Sequence, residues 1–136
     1  MKISANTLCP CHSKKKYKKC CKIFHEGINP KTAEQLMRSR FCAYSLNNAE
    51  YIIKTTHQNN QDYSLDINTW KNDISSFCEN TDFVRLEILE VIQGEDESYV
   101  TFKAILKQDN LDSSFTEKSR FLKVENKWLY VDGIFI

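Results

Sequence analysis

Four of the six cysteines of this chain lie within 13 residues near the N-terminus, and no other feature constrains the fold as strongly. They form a C-x-C pair, Cys9 and Cys11, and an adjacent pair, Cys20 and Cys21, with eight residues between the pairs. Structural zinc sites use four thiolate or imidazole ligands in a tetrahedron, so the two pairs can fold around one ion. A segment this short buries no core, and a metal would supply most of its folding free energy. The alternatives are a disulfide pair or idle cysteines in a flexible tail, and His25 is a weaker rival ligand.

The same segment is strongly basic. Residues 1–31 carry eight lysines against one glutamate, a net charge of +7, whereas the rest of the chain carries −6. Two segments of opposite charge indicate two functional parts. Basic side chains around a thiolate site offset its negative charge, and they can also contact phosphate or an acidic protein surface. The lysines of the loop are therefore predicted to bind a protein partner, or the ribosome or other RNA. They are Lys14, Lys15, Lys16, Lys18 and Lys19.

The chain shows no sign of export or membrane insertion. Its first residues contain no apolar segment of the kind that signal peptides have. No apolar run approaches the roughly 20 residues that a membrane helix needs. We expect a cytoplasmic protein without a membrane contact, in a compartment where thiols stay reduced and clustered cysteines favour metal over disulfides.

The hydrophobic pattern after residue 28 predicts an α+β domain. Three helices are predicted, over residues 33–46, 49–56 and from the N-cap Asp66 to Phe77 or Cys78, with Thr32 capping the first. Four strands are predicted over residues 83–92, 98–107, 115–124 and 128–135. Helices first and strands after indicate three helices packed on a curved four-stranded antiparallel sheet. The predicted division is a cysteine module, residues 1–28, and an α+β domain, residues 29–136.

Arg40 is the most informative residue of this predicted domain. At 100° per residue it lies near the centre of the apolar stripe of the first helix, whereas Arg38 points to solvent. A guanidinium that faces a core needs a partner, because burying it unpaired costs several kcal/mol.

The last predicted hairpin offers such partners. A two-residue loop at 125–126 places Ser119 opposite Asp132, and Glu117 lies two strand residues away on the same face. Arg40 can then pair with Asp132 or Glu117. We interpret this set either as a buried ion pair or as the polar floor of a ligand pocket.

The cysteine segment resembles the SEC-C motif, the zinc-binding tail found in the SecA translocation ATPase and attached to many other bacterial proteins. The motif reads C-x-C-x₈-C-[HC], and the four cysteines fit it, as do Ser13 and the lysine- and tyrosine-containing stretch 15–18. His12 and Lys14 stand where the motif commonly has glycine. A strained or differently shaped turn is therefore expected there. The resemblance implies one zinc ion per chain on Cys9, Cys11, Cys20 and Cys21.

The rest of the chain resembles the YchJ family of bacterial proteins. The resemblance rests on the segments 33–44, 117–121 and 128–133, and it implies a nuclear transport factor 2-like, cystatin-like cone domain after the SEC-C motif. It implies no reaction, because the family has no established activity.

Three classes of function remain open from the sequence, one of them a purely structural role. We favour an adaptor whose zinc module binds a partner through its lysines. The alternative is a domain that binds a small molecule, or an enzyme of hydrolase or isomerase type using Asp132, Glu117 or His57. His57 is interpreted as a solvated loop residue, and Cys42 and Cys78 are interpreted as packing residues.

Overall fold

The computed structural model describes residues 3–136; Met1 and Lys2, which the predicted module includes, lie outside this range. A 3₁₀ helix, Tyr17–Lys19, precedes four α-helices: α1 Cys21–His25, α2 Ala33–Ser45, α3 Ala49–Lys54 and α4 Ile67–Glu79. Five strands follow: β1 Asp82–Ile92, β2 Glu97–Gln108, β3 Leu111–Asp112, β4 Phe115–Val124 and β5 Lys127–Phe135. The helix-then-strand order is the predicted α+β arrangement.

Side-chain caps fix where the three helices of the domain begin. The side chains of Thr32, Asn48 and Asp66 each accept a hydrogen bond from a backbone N–H of the first turn, at Gln35, Tyr51 and Thr69. Such caps satisfy donors that have no partner inside the helix. The predicted starts of α2, α3 and α4 are therefore confirmed.

The sheet has five strands, which corrects the predicted four. Its order is β1-β2-β4-β5, all antiparallel, and the short β3 pairs with β2. Asp109 and Asn110 have φ values of 53° and 63°. A two-residue turn with both φ values positive reverses the chain tightly, so β3 folds back onto the end of β2. From the sequence, residues 109–112 are predicted to be a hairpin turn between the two neighbouring strands.

A β-bulge changes the register of the last hairpin. Phe121 lies opposite Tyr130, as predicted, but the register then shifts, so that Arg120 pairs with Asp132 and Ser119 with Gly133. The extra residue on β5 turns Asp132 to the opposite face of the sheet. The predicted pairing of Ser119 with Asp132 is therefore wrong.

The helices cover one face of the sheet, called here the inner face. α2 supplies Ala33, Leu36, Met37 and Phe41 to a core that includes Phe121 and Trp128 of the sheet. A second cluster joins α3 and α4. The cysteine module packs against α2 through a third cluster, which consists of Cys9, Cys11, Cys21 and Cys42. In residues 3–136 no helix is long and apolar enough to cross a membrane.

Candidate functional site

The four clustered cysteines converge on one point. Their Sγ atoms all lie within 4.8 Å of one another, with Cys11 and Cys20 at 3.6 Å and Cys20 and Cys21 at 3.9 Å. In a tetrahedral site with Zn–S bonds of about 2.3 Å, sulfur atoms are about 3.8 Å apart. The thiol set therefore fits a tetrahedral metal site, and the four cysteines can hold a metal ion.

Local backbone structure brings the two pairs together. Cys9 N–H donates to Lys15 O at 2.8 Å, and an isolated bridge joins Leu8 to Lys16. The loop then enters the 3₁₀ helix, and Cys21 opens α1 immediately after it. This tight hairpin with a helical exit places both pairs on the same side of the loop.

The loop holds two non-glycine residues in a left-handed conformation. His12 has φ 62° and Lys14 has φ 69°. These are the positions at which the SEC-C motif commonly has glycine, the residue that adopts positive φ at no steric cost. A side chain with a Cβ costs roughly 1–2 kcal/mol in this conformation. The departure from the motif therefore strains the loop, which answers the question raised by the sequence.

Replacing Lys14 by glycine is expected to tighten metal binding modestly. The substitution relieves the left-handed strain, and we expect a gain of up to about 1 kcal/mol after the entropy of the more flexible unfolded chain is subtracted. Competition with a chelator measures the change, and Lys16→Gly, at a residue with an extended backbone, is the control. Weaker metal binding by Lys14→Gly than by Lys16→Gly would contradict the strain argument.

The thiols perturb one another strongly. Sulfur–hydrogen bonds from Cys11 and then Cys21 lower the pKa of Cys9 well below its ordinary value. A bond from Cys21, with help from Ser13, lowers the pKa of Cys20 to about 6. Contact with Cys11 and then Cys20 raises the pKa of the Cys21 thiol above its ordinary value. Thiols this close cannot all become thiolates without a cation between them, and a metal ion provides that cation.

A fifth thiol lies beside the cluster. Cys42, on α2, is fully buried, and its Sγ lies 3.8 Å from Cys9 Sγ. It is not one of the four mutually close thiols. From the sequence, Cys42 is interpreted as a packing residue of the domain, and the helical face alone gives no sign that it meets the module. The residue is buried, but it packs against the cysteine cluster.

His25 is not available as a ligand in this arrangement. Its Nδ1 lies 2.7 Å from the Tyr17 hydroxyl and its Nε2 lies 2.9 Å from Ser39 O. Both ring nitrogens are thus engaged in hydrogen bonds, and the ring joins the module to α2. The role of His25 as a rival ligand is not supported.

Arg38 also joins the module to the domain. Its Nη1 donates to Cys11 O at 2.9 Å, and its Nε donates to Glu34 at 3.0 Å. Only 24% of its side chain is exposed. The expectation that Arg38 points freely to solvent is wrong, because the docked module covers that side of α2.

The five lysines of the loop point outward. Each is exposed. Among the described residues no carboxylate forms an ion pair with any of them, and the module's ion pair joins Lys22 to Glu26. The loop therefore presents unneutralised positive charge, while its role in partner binding stays a prediction. The residues are Lys14, Lys15, Lys16, Lys18 and Lys19.

Arg40 is buried, as predicted, but it has no carboxylate partner among the described residues. Its side chain is 5% exposed. Its Nη1 donates to Thr55 Oγ1 at 2.8 Å, Thr56 Oγ1 at 3.1 Å and Ile52 O at 3.2 Å. Its guanidinium carbon lies 4.7 Å from the centre of the Tyr130 ring. The predicted buried ion pair is replaced by neutral oxygens and an aromatic face.

Asp132 does not join this group. It forms two 2.9 Å hydrogen bonds with Arg120 on the outer face of the sheet, and these bonds lower its pKa. The bulge in β5 is the cause of this change from the prediction. Glu117 and Ser119 do face inward with Arg40 and line one cavity.

His57 is buried rather than solvated, which corrects the sequence interpretation. It is 8% exposed. Its backbone N–H donates to Tyr130 O at 2.8 Å, and its ring Nδ1 accepts from the backbone N–H of Asn59 at 3.0 Å. With Asp132 on the outer face, His57, Asp132 and Glu117 are not assembled into one catalytic group. Cys78 is buried in the α3–α4 cluster, as expected of a packing residue.

Two family models match this chain. The model of the YchJ middle, NTF2-like domain matches residues 32–133, and the SEC-C motif model matches residues 6–22. A division at residue 28 falls between these ranges and stays a prediction. A UPF0225 protein of Vibrio vulnificus is 38% identical over 130 residues, covering 93% of this chain and 74% of its own length. A UPF0225 protein of Haemophilus influenzae is 39% identical over 126 residues, covering 91% and 75%.

Solved structures give the same result. A SEC-C motif containing protein from Psychrobacter arcticus is 31% identical with a TM-score of 0.78, covering 94% of this chain and 82% of its own. One from Rhodopseudomonas palustris has a TM-score of 0.82 at 27% identity, covering 94% and 98%. An NTF-2 like protein of unknown function from Shewanella oneidensis, at 13% identity and TM-score 0.52, covers 74% of this chain and 92% of its own, and it shows the fold alone. The chain therefore belongs to the YchJ family, UPF0225, with a SEC-C motif followed by an NTF2-like domain.

Proposed function

We propose that this protein is a zinc-dependent adaptor whose cysteine module binds RNA, including ribosomal RNA. One zinc ion on Cys9, Cys11, Cys20 and Cys21 would fix the loop between the two cysteine pairs. The observation that carries the proposal is the loop's five exposed lysines, which have no ion-pair partner among the described residues. In a cytoplasmic location, which we propose with it, the thiols would stay reduced and able to hold the metal.

The kind of charge favours phosphate over an acidic protein surface. Lysine is depleted in protein–protein interfaces, whereas aromatic residues and arginine are enriched. The charged side chains that the loop exposes are all lysines, and the one aromatic residue between them, Tyr17, is hydrogen-bonded to His25. Flexible point charges suit a phosphate backbone, which binds without base-specific contacts. The acidic remainder of the chain would repel RNA and confine it to the module.

Charge at this loop should govern RNA affinity. We expect a fourfold glutamine variant of the loop to bind more weakly to a single-stranded RNA homopolymer and to intact ribosomes. The residues replaced are Lys14, Lys15, Lys18 and Lys19. The slope of log affinity against log salt should fall by about 3, because each phosphate contact contributes about 0.7 for single strands. Zinc content should be unchanged, since none of these side chains is a ligand.

A matched variant separates location from net charge. The control variant makes the same charge change on the domain by replacing four exposed lysines with glutamine. These are Lys103, Lys107, Lys123 and Lys127. It should leave the salt slope nearly unchanged. An equal loss in both variants, or salt-independent binding, would contradict the proposal. Binding to an acidic polypeptide in preference to RNA would assign the loop to a protein partner instead.

A further inference from the structure

A second, independent site lies between α2 and the inner face of the sheet. It is a cavity of about 170 Å³. Five phenylalanine side chains contribute to its wall, and Phe77, Phe83 and Phe115 among them are partly exposed, which gives a small molecule a route in. A wider cleft of about 410 Å³ beside α4 is lined by exposed carboxylates and lacks a buried charge. The smaller cavity combines apolar walls with convergent polar groups, the pattern of small-molecule sites.

The positive end of this cavity is Arg40. Its three hydrogen bonds all run from Nη1, and none runs from Nε or Nη2 to any residue that the structure describes. A guanidinium has five N–H donors in a planar fork that matches a carboxylate in two-point contact. Thr55, Thr56 and Tyr130 hold the group in place while the rest of its fork stays free. A ligand carboxylate would complete it.

The negative end is Glu117. Its Oε2 accepts hydrogen bonds from the Ser119 hydroxyl and from the Tyr130 hydroxyl, the latter at 2.9 Å. Oε1 accepts none among the described residues. Gly133 lies opposite Ser119, and a Cβ there would come 2.3 Å from Glu117 Oε2. The missing side chain at Gly133 therefore makes room for this carboxylate at the cavity.

The two charges do not neutralise each other directly. No Arg40 nitrogen lies within 4.0 Å of a carboxylate oxygen in residues 3–136, and Tyr130 contacts both side chains. A site with one fixed positive and one fixed negative group is neutral overall, so it disfavours a ligand with net charge. It favours a zwitterion that places its carboxylate at Arg40 and its ammonium group at Glu117.

We propose that this cavity binds a small apolar α-amino acid of the size of valine or leucine. The carboxylate would pair with Arg40, the amino group with Glu117, and the aliphatic side chain would contact the phenylalanines. An apolar cavity of about 150 Å³ holds a benzene ring, so this cavity accommodates a branched aliphatic side chain. The proposal does not rest on RNA binding or on zinc.

Three related molecules test the two charged contacts separately. Isothermal titration and amide NMR shifts with L-leucine should show binding, with the largest shifts around Arg40, Glu117 and Tyr130. 4-Methylpentanoate lacks the amino group, and 3-methylbutylamine lacks the carboxylate. The affinity of each should be lower than that of leucine by a factor of at least about ten. Equal binding of all three, or no binding of leucine at millimolar concentration, would overturn the proposal.

Two variants place the ligand in the cavity. Glu117→Gln keeps acceptor capacity for Ser119 and Tyr130 but removes the charge, and it should abolish the preference for leucine over 4-methylpentanoate. Glu97→Gln, the same change on the outer face beside Arg120, should keep it. Ala104→Leu fills the cavity without altering charge and should remove leucine binding, provided that circular dichroism shows the fold retained. Unchanged leucine binding by both cavity variants would place the ligand elsewhere and overturn the assignment.

Discussion

Replacing Cys9 and Cys20 together by serine is expected to lower the zinc content of the purified protein from about one ion per chain to none. The double variant removes one thiolate from each ligand pair, and two ligands cannot hold zinc against competing water and chelators. Structural zinc contributes an apparent binding free energy of about 10–16 kcal/mol in small zinc-binding peptides, so this is the largest effect expected of any substitution here. Metal analysis by atomic emission measures it.

Cys42→Ser is the matched control for this experiment. It makes the same chemical change at a buried thiol 3.8 Å from Cys9 Sγ, outside the four-thiol set. We expect it to retain about one zinc ion per chain. Full zinc content in the Cys9→Ser, Cys20→Ser variant, or loss of zinc in Cys42→Ser, would show that the ligands are a different set of thiols.

Arg40→Ala should lower the free energy of unfolding by about 2–4 kcal/mol, measured by urea denaturation. The substitution deletes three hydrogen bonds from a charged donor and leaves a void beside Tyr130. Arg40→Met retains most of the volume and removes the buried charge together with its desolvation cost, so it should destabilise less than Arg40→Ala.

Arg38 provides the comparison. Its hydrogen bonds to Cys11 O and Glu34 are at the partly exposed junction between module and domain, and Arg38→Ala should cost about 1 kcal/mol. An Arg40→Ala variant as stable as the parent protein, or less affected than Arg38→Ala, would contradict the buried position of the Arg40 guanidinium.

The helices of the domain could be predicted because their signals are local. The side chains of Thr32 and Asp66 cap α2 and α4. Each accepts a hydrogen bond from a backbone N–H only three residues further along the chain. The apolar spacing of α2 also placed Arg40 on the buried face. The convergence of the four cysteines was likewise expected from their spacing, since both pairs lie in one short loop.

Features that depend on one residue of backbone irregularity could not be predicted. The bulge in β5, opposite Arg120 and Phe121, moves Asp132 from the inner to the outer face. The apolar run at 128–131 has no alternation that would fix the register, and Gly133 beside it is a residue of the kind that often marks a bulge. The predicted pairing of Arg40 with Asp132 failed for this reason. Glu117 does stay on the inner face, but it lies more than 4.0 Å from the Arg40 nitrogens and forms no ion pair with them. The two-residue strand β3 was missed because residues 109–112 were all predicted to be one turn, whereas the turn is Asp109–Asn110 and the next two residues pair with β2.

Contacts between the module and the domain also could not be predicted from the sequence. Cys42 lies 33 positions after Cys9, and Arg38 lies 27 positions after Cys11. Helical periodicity reports which side of α2 is apolar, but it does not report what covers the other side. The docked module makes Arg38 a junction residue and brings Cys42 to the cysteine cluster.

We propose that four cysteine thiolates hold one zinc ion. X-ray absorption at the zinc K-edge of the intact, purified protein tests it most directly, because it counts the ligand atoms and measures their distances. Four thiolate ligands should give a single shell of four sulfur atoms at about 2.3 Å. A nitrogen or oxygen shell at about 2.0–2.1 Å, or fewer than four sulfur ligands, would contradict it.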